Sequence, residues 1–174
     1  MATLPAVPVE EYLRTCYDPD REYVDGRLVE RHVGEHDHSL LQILIGSELN
    51  ARGRERGFRV FAEQRVRLSE EPRFRIPDIC VKALPYHKTP VLVCPDLVIE
   101  IISPDDEPLE IVEKIADYQA AGIPHIWVVN PYKRTLLEVD RAGSRRPSSH
   151  VLATPLVGEL DFAPLFRDLD EPSE

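Results

Sequence analysis

Residues 96–130, DLVIEIISPDDEPLEIVEKIADYQAAGIPHIWVVN, constrain the fold more than any other part of the chain. The segment opens and closes on apolar runs too short for helices and too uniformly apolar for strands with one wet face. Both read as strands covered on both sides. Between them Pro108 sits near a first helical turn, Ile111, Ile115 and Tyr118 recur at helical spacing, and Gly122 followed by Pro124 supplies a stop. A helical crossover of this kind implies parallel pairing of the strands it joins.

Upstream, REYVDGRLVER at 21–31 places β-formers on either side of Asp25-Gly26, a hairpin signal. HDHSLLQILIGSELNARG then carries Leu41, Leu44, Ile45 and Leu49 at helical spacing, with an end near Gly53 or Gly57. Strand-like runs follow at 58–68, 75–81 and 96–102, and a further one is expected at 135–140 beyond the strand 123–130. Three sequential strands imply an antiparallel meander ahead of the parallel crossover. The expected class is α/β: a mixed sheet flanked by helices, in the order α-β-β-β-α-β, with an N-terminal β-hairpin.

At 174 residues and 43% hydrophobic, the chain has the size of one domain with a real core. A formal charge of −10 argues against coating nucleic acid or anionic membrane with the whole surface, and leaves a local basic patch open. The chain does not open on a basic start followed by a long apolar segment. No later run approaches the roughly 20 apolar residues of a membrane helix, so a cytoplasmic protein with no membrane partner is expected. Cys16, Cys80 and Cys94 are odd in number and show no CxxC spacing, which suggests neither a disulfide framework nor a zinc site. Cys80 and Cys94 read as reduced core residues.

Glu100 interrupts the first apolar run. A buried carboxylate is costly unless it is paired, protonated or bound to a metal, so a local salt bridge and a functional acid are both open readings. Asp78 follows Pro77 on the neighbouring predicted strand, and proline there favours an edge, a strand start or a bulge. If the two strands pair, the acids lie side by side and their repulsion calls for a cation. Oxygen donors select hard cations such as Mg²⁺, which keep waters and leave room for a substrate phosphate. A fixed positive charge is still missing: alternation puts residue 102 on the face of Glu100, and residue 102 is Ile102. Lys114 falls about 60° from Ile111 on a wheel of about 100° per residue, at the margin of the core stripe of Ile111, Ile115 and Tyr118. Its ammonium either snorkels at the helix edge or reaches the cleft.

RIPDICV, PDLVIEIISP and EKIADYQAAGIPHIWVVNP, preceded by REYVDGRLVE and by His38 at the head of the first helix, together resemble the Uma-two family. Its members are prokaryotic endonucleases of the PD-(D/E)xK, restriction-endonuclease-like fold. The resemblance covers roughly residues 20–166, with 1–19 as an N-terminal extension and 167–174 as an acidic tail. It implies that Asp78 and Glu100 bind the metal, that the backbone carbonyl of Ile101 is a further ligand, and that Lys114 replaces the lysine absent at Ile102. Glu63 matches a position often acidic in the family, where it would bind a second metal or orient water; pairing with Arg65 or Arg75 is the competing reading. His38 either approaches the cleft or caps and packs the helix. Asn130 stands where the family commonly carries aspartate before proline, a change that a turn-capping role accommodates.

Residues 51–75 hold eight arginines against four acids, and Arg52, Arg54, Arg56 and Arg59 cluster between the first helix and the next strand. They are candidates for phosphate contact or a solvated face with local partners. The leading expectation is a Mg²⁺- or Mn²⁺-dependent endonuclease acting on DNA, with Asp78, Glu100 and Lys114 as its catalytic residues. Cutting two strands makes a homodimer attractive. The alternative is a catalytically inactive protein that keeps the nuclease scaffold as an interaction or regulatory module. Hydrolysis of small phosphoesters is a third reading.

Overall fold

The computed structural model describes residues 7–31, 35–70 and 72–170. A short helix α1 (Val9–Arg14) precedes the hairpin of β1 (Arg21–Val24) and β2 (Arg27–Glu30), and the long helix α2 (His36–Arg56) follows. Next come β3 (Phe58–Ala62), β4 (Val66–Arg67), β5 (Phe74–Arg75), β6 (Ile79–Ala83), β7 (Leu92–Val93) and β8 (Leu97–Ile101). Helix α3 (Pro108–Ala120) leads to β9 (His125–Asn130), β10 (Thr135–Asp140) and β11 (Gly143–Arg145). A last hairpin, β12 (Val151–Thr154) and β13 (Gly158–Asp161), ends in α4 (Phe162–Asp168).

The central sheet has six strands in the order β11-β10-β9-β8-β6-β3. β3, β6 and β8 form an antiparallel meander, and β8 pairs parallel with β9 through α3. This is the α/β arrangement with a mixed sheet and flanking helices that the apolar runs imply. The hairpin joins a second sheet, β2-β1-β5-β4-β7.

Two of the predicted strands are each split between these sheets, for local reasons. The run at 58–68 breaks at Glu63, whose φ of 50° takes it out of extended geometry, so β3 stays in the central sheet while β4 joins the second. The run at 75–81 breaks at Pro77, which has no N–H to give to a ladder, so β5 and β6 likewise part.

The two faces of the central sheet carry separate cores. Leu41, Ile45 and Leu49 of α2 and Phe162 of α4 pack on Ile79, Ile99 and Trp127. On the other face Tyr118 and Ile115 of α3 meet Cys80, Val98 and Ile126. Each fully buried aliphatic side chain in these layers contributes about 1.5–3 kcal/mol, which holds both strand-borne acids on a rigid support. α2 approaches β3 so closely that a Cβ at Gly53 would lie 3.0 Å from the Phe58 carbonyl oxygen, and the helix ends on left-handed Gly57.

At the N-terminus, α1 folds back: Tyr12 is buried against Tyr23 and Phe74. Part of the expected extension 1–19 is therefore packed, and residues 1–6 lie outside those described. The expected tail 167–174 begins inside α4, with residues 171–174 outside those described. Cys80 is buried as expected, but Cys94 is exposed, because it occupies a turn residue with φ 48° ahead of β8.

Candidate active site

Alternation along β8 sends Val98 toward α3, and Glu100, two residues on, follows it. Ile79 pairs with Ile99, so Asp78, one step before β6 begins, stands opposite Glu100. Asp78 is anchored by the backbone: its Oδ2 accepts from Ile101 N at 2.7 Å, and its own carbonyl accepts from Gln42 Nε2 at 2.9 Å. Both acids are buried, at 4% and 2% exposure, and both line a cleft of about 100 Å³.

Cations reach both acids. Lys114 Nζ lies 3.0 Å from Glu100 Oε2, and Tyr118 OH donates to Glu100 Oε1 at 2.5 Å. Of the two readings of Lys114, the second matches the geometry: the side chain lines the cleft and its ammonium meets Glu100 there. Arg31 Nη2 donates to Asp78 Oδ1 at 2.9 Å, and His38 Nε2 stands 3.4 Å from Oδ2.

The surroundings push the two carboxyls apart. Burial raises Glu100 to about 7, helped by the charges of Asp78 and Glu22 and opposed by Lys114 and Tyr118. Burial also presses Asp78 upward, but the His38 hydrogen bond and the charges of His38, Lys114 and Arg31 outweigh it and hold Asp78 below the usual carboxylate range. For His38 and Lys114, burial favours the neutral form; the facing carboxylates win and raise both. One acid of the pair thus holds its charge firmly and the other is poised near neutrality.

Ile102 N donates to Val129 O on β9 at 2.8 Å, and in a planar trans peptide the Ile101 carbonyl of the same unit points the opposite way, toward Asp78. Asp78, Glu100 and this carbonyl are oxygen donors of the kind that hard divalent cations take, and they are the groups that would hold such an ion here. Among the described residues, no group of three or more His, Cys, Asp or Glu is arranged to hold a metal.

Other expected residues fall outside this cluster. Glu63 does not line the cleft: its Oε1 lies 3.6 Å from Arg31 Nη1 rather than against Arg65 or Arg75, and its backbone N–H donates to the Asp78 carbonyl at 3.1 Å. Arg52 and Arg56 lie 14–18 residues along α2 from His38, about 21–27 Å at 1.5 Å per residue. Arg52 donates to Glu159 O, Arg56 donates to the carbonyls of Leu156 and Pro155, and Arg59 donates to Phe58 O. The structure does not bring this cluster to the acids. Asn130 caps its turn, accepting from Tyr132 N and Lys133 N.

Three participants escaped the sequence reading. Arg31 ended a hairpin strand with nothing to set it apart from other hairpin arginines. Tyr118 was read as core and also hydrogen-bonds Glu100. Glu22, buried on β1, binds Arg75 Nη1 at 2.7 Å and Ile76 N at 2.9 Å; its only signal was an acid in a β-forming run.

The Uma2 (Uma-two) family, described as "Putative restriction endonuclease", matches residues 9–165. The chain belongs to this family. A solved structure described as a "putative nuclease" from Anabaena variabilis is 22% identical over 92% of this chain and 98% of that one, with a TM-score of 0.81, and shares the fold. A DrdV–DNA complex aligns over 76% of this chain and 12% of its own at 13% identity and a TM-score of 0.41, a likeness too weak to bear on the Uma-two chain. Among curated proteins none matches. No helix among the described residues is long and apolar enough to cross a membrane.

Proposed function

We propose that this Uma-two protein is a metal-dependent endonuclease that hydrolyses phosphodiester bonds in DNA at the cleft holding Asp78, Glu100 and Lys114. The observation that carries the reading is the 3.0 Å contact from Lys114 to Glu100, because a helix supplies the ammonium that the strand lacks at Ile102. Asp78, Glu100 and the Ile101 carbonyl would hold Mg²⁺ or Mn²⁺. When bound, the ion neutralises charge on the phosphate and lowers the pKa of a coordinated water.

The chain's own residues do the rest. Glu100 gives up its proton near neutrality, while Asp78 keeps its charge through the backbone N–H of Ile101 and its cationic neighbours. Lys114, held by Glu100, orients the attacking water or stabilises the charge that develops as the phosphorus–oxygen bond to the leaving group breaks. His38 is an auxiliary group on Asp78. Phosphate contact at Arg52, Arg54, Arg56 and Arg59 is a peripheral part of the reading, since three of the four guanidinium groups already serve backbone carbonyls. The same reading takes residues 20–166 as one cytoplasmic domain that pairs as a homodimer to cut both strands.

Titrating Mn²⁺ into the protein with supercoiled plasmid should produce nicked circles, and Lys114→Ala should lower the rate by about 10²–10³-fold with Mn²⁺ binding retained. Calorimetry showing no Mn²⁺ or Mg²⁺ binding by the intact protein ends the proposal. A second reading, a non-catalytic module on the nuclease scaffold, draws on the fact that Arg31 and Lys114 already neutralise both acids. It gains if the plasmid stays supercoiled while the protein binds it.

A further inference from the structure

Among the described residues two guanidinium groups line the cleft, and they are used very differently. Arg75 is spent: Nε donates to Asp117 Oδ2 at 2.8 Å, Nη1 to Glu22 Oε2 at 2.7 Å, and Nη2 pairs with Asp117 Oδ2 at 2.7 Å. Among the described residues Arg31 has one short bond, to Asp78. Its other near partner, Glu63 Oε1, is 3.6 Å away, beyond hydrogen-bond length, on a side chain that is half exposed. A guanidinium has five donors in a planar fork, so most of those on Arg31 have no acceptor among the described residues.

The charge around the cleft makes that spare capacity matter. Glu30, Asp106, Glu110 and Glu113 also line it and repel an approaching phosphate. Lys114 is committed to Glu100, which is buried. With Asp78 engaged by a divalent ion, Arg31 is, among the described guanidinium and ammonium groups of the cleft, the one left without a full-strength partner. Its fork matches two oxygens of a phosphodiester, a geometry that lysine cannot reproduce.

We propose that Arg31 is the substrate's phosphate ligand: Asp78 and Glu63 hold its guanidinium at the cleft until a DNA phosphodiester takes it bidentately. This rests on the nuclease reading for its substrate, and it adds a residue from the hairpin, outside the acids and Lys114. No titration is involved, since arginine keeps its charge throughout.

The test compares wild type, Arg31→Gln and Arg31→Lys in three measurements: binding of a short DNA duplex by anisotropy with Ca²⁺ present, Mn²⁺ affinity by calorimetry, and thermal unfolding. Arg31→Gln should weaken duplex binding about 10- to 100-fold, the loss of a charge-assisted pair. Its salt slope should fall by about one phosphate contact. Arg31→Lys keeps the point charge, so it should fold, bind Mn²⁺ as wild type does, keep the salt slope, and bind the duplex several-fold more weakly. If Arg31→Lys and Arg31→Gln bind duplex as tightly as wild type, Arg31 is only a counter-ion of Asp78 and the proposal is overturned, while the nuclease reading stands. If Arg31→Lys loses Mn²⁺ and duplex together, Arg31 acts through the acids and the proposal is again overturned. A wild-type protein that binds neither Mn²⁺ nor duplex overturns both readings at once.

Discussion

Glu22, Arg75 and Asp117 form one buried ion network, and Asp78, Glu100, Arg31 and Lys114 form another on the same cleft. In the first, all three nitrogens of Arg75 are engaged, Glu22 Oε1 also accepts from Ile76 N, and Arg73 links Asp117 to Asp25. The network ties the hairpin to β5 and to α3, the helix that carries Lys114. In the second, Glu100 is pushed up to about 7 and Arg31 keeps donors in reserve. The difference separates scaffold from site. A saturated network fixes geometry, whereas an under-used one, on the proposed function, would exchange its partners for an ion and a phosphate.

The sharpest way to break this comparison is Arg75→Met. It leaves Glu22 and Asp117 buried without their cation and should cost about 3–5 kcal/mol in urea unfolding. A loss below about 1 kcal/mol would show that the first network is no scaffold, since a typical exposed pair is worth that little.

A pH series sharpens the other side. The folded Glu100 carboxyl lies at about 7, above its ordinary value of 4.5, so between these values the folded state holds a proton that the unfolded state has released. Its stabilising contribution is complete below 4.5 and is lost as pH rises through about 7. Unfolding in EDTA should show that loss in wild type and a flatter profile in Glu100→Gln. Equal slopes would mean that Glu100 is ionised throughout and that the second network is as settled as the first.

The smallest effect concerns the far end of α2. Arg56→Ala removes bonds to the carbonyls of Leu156 and Pro155, and should cost about 1 kcal/mol while lowering plasmid nicking far less than Lys114→Ala does, as a peripheral phosphate contact would. Nicking that falls as far as in Lys114→Ala with stability intact would make this arginine a principal DNA contact.

Much of the site could be read from residues 96–130. Glu100 stood out because a charge in a doubly covered strand needs a reason, and Lys114 because helical spacing set it at the margin of an apolar stripe. Asp78 was marked by Pro77 before it, which favours an edge, a strand start or a bulge; that this proline parts the run at 75–81 between two sheets appeared only in the fold. Arg31 was not legible: it meets Asp78 across 47 positions of chain, and a hairpin arginine carries no periodic signal of what it will face. Cys94 misled for the opposite reason, since composition says nothing of a turn with φ 48°.

The runs and spacing of apolar residues specified the meander and the crossover helix, and strand period specified the face on which Glu100 stands, because side-chain direction follows directly from backbone period. Which cation meets which acid was decided by how the hairpin and α3 pack against the central sheet. The fold seats the hairpin over the end of β6 and sends Arg52 and Arg56 to the opposite end of α2. Ion pairing acts over a few ångströms between residues far apart in the chain, and only the closed fold sets those distances.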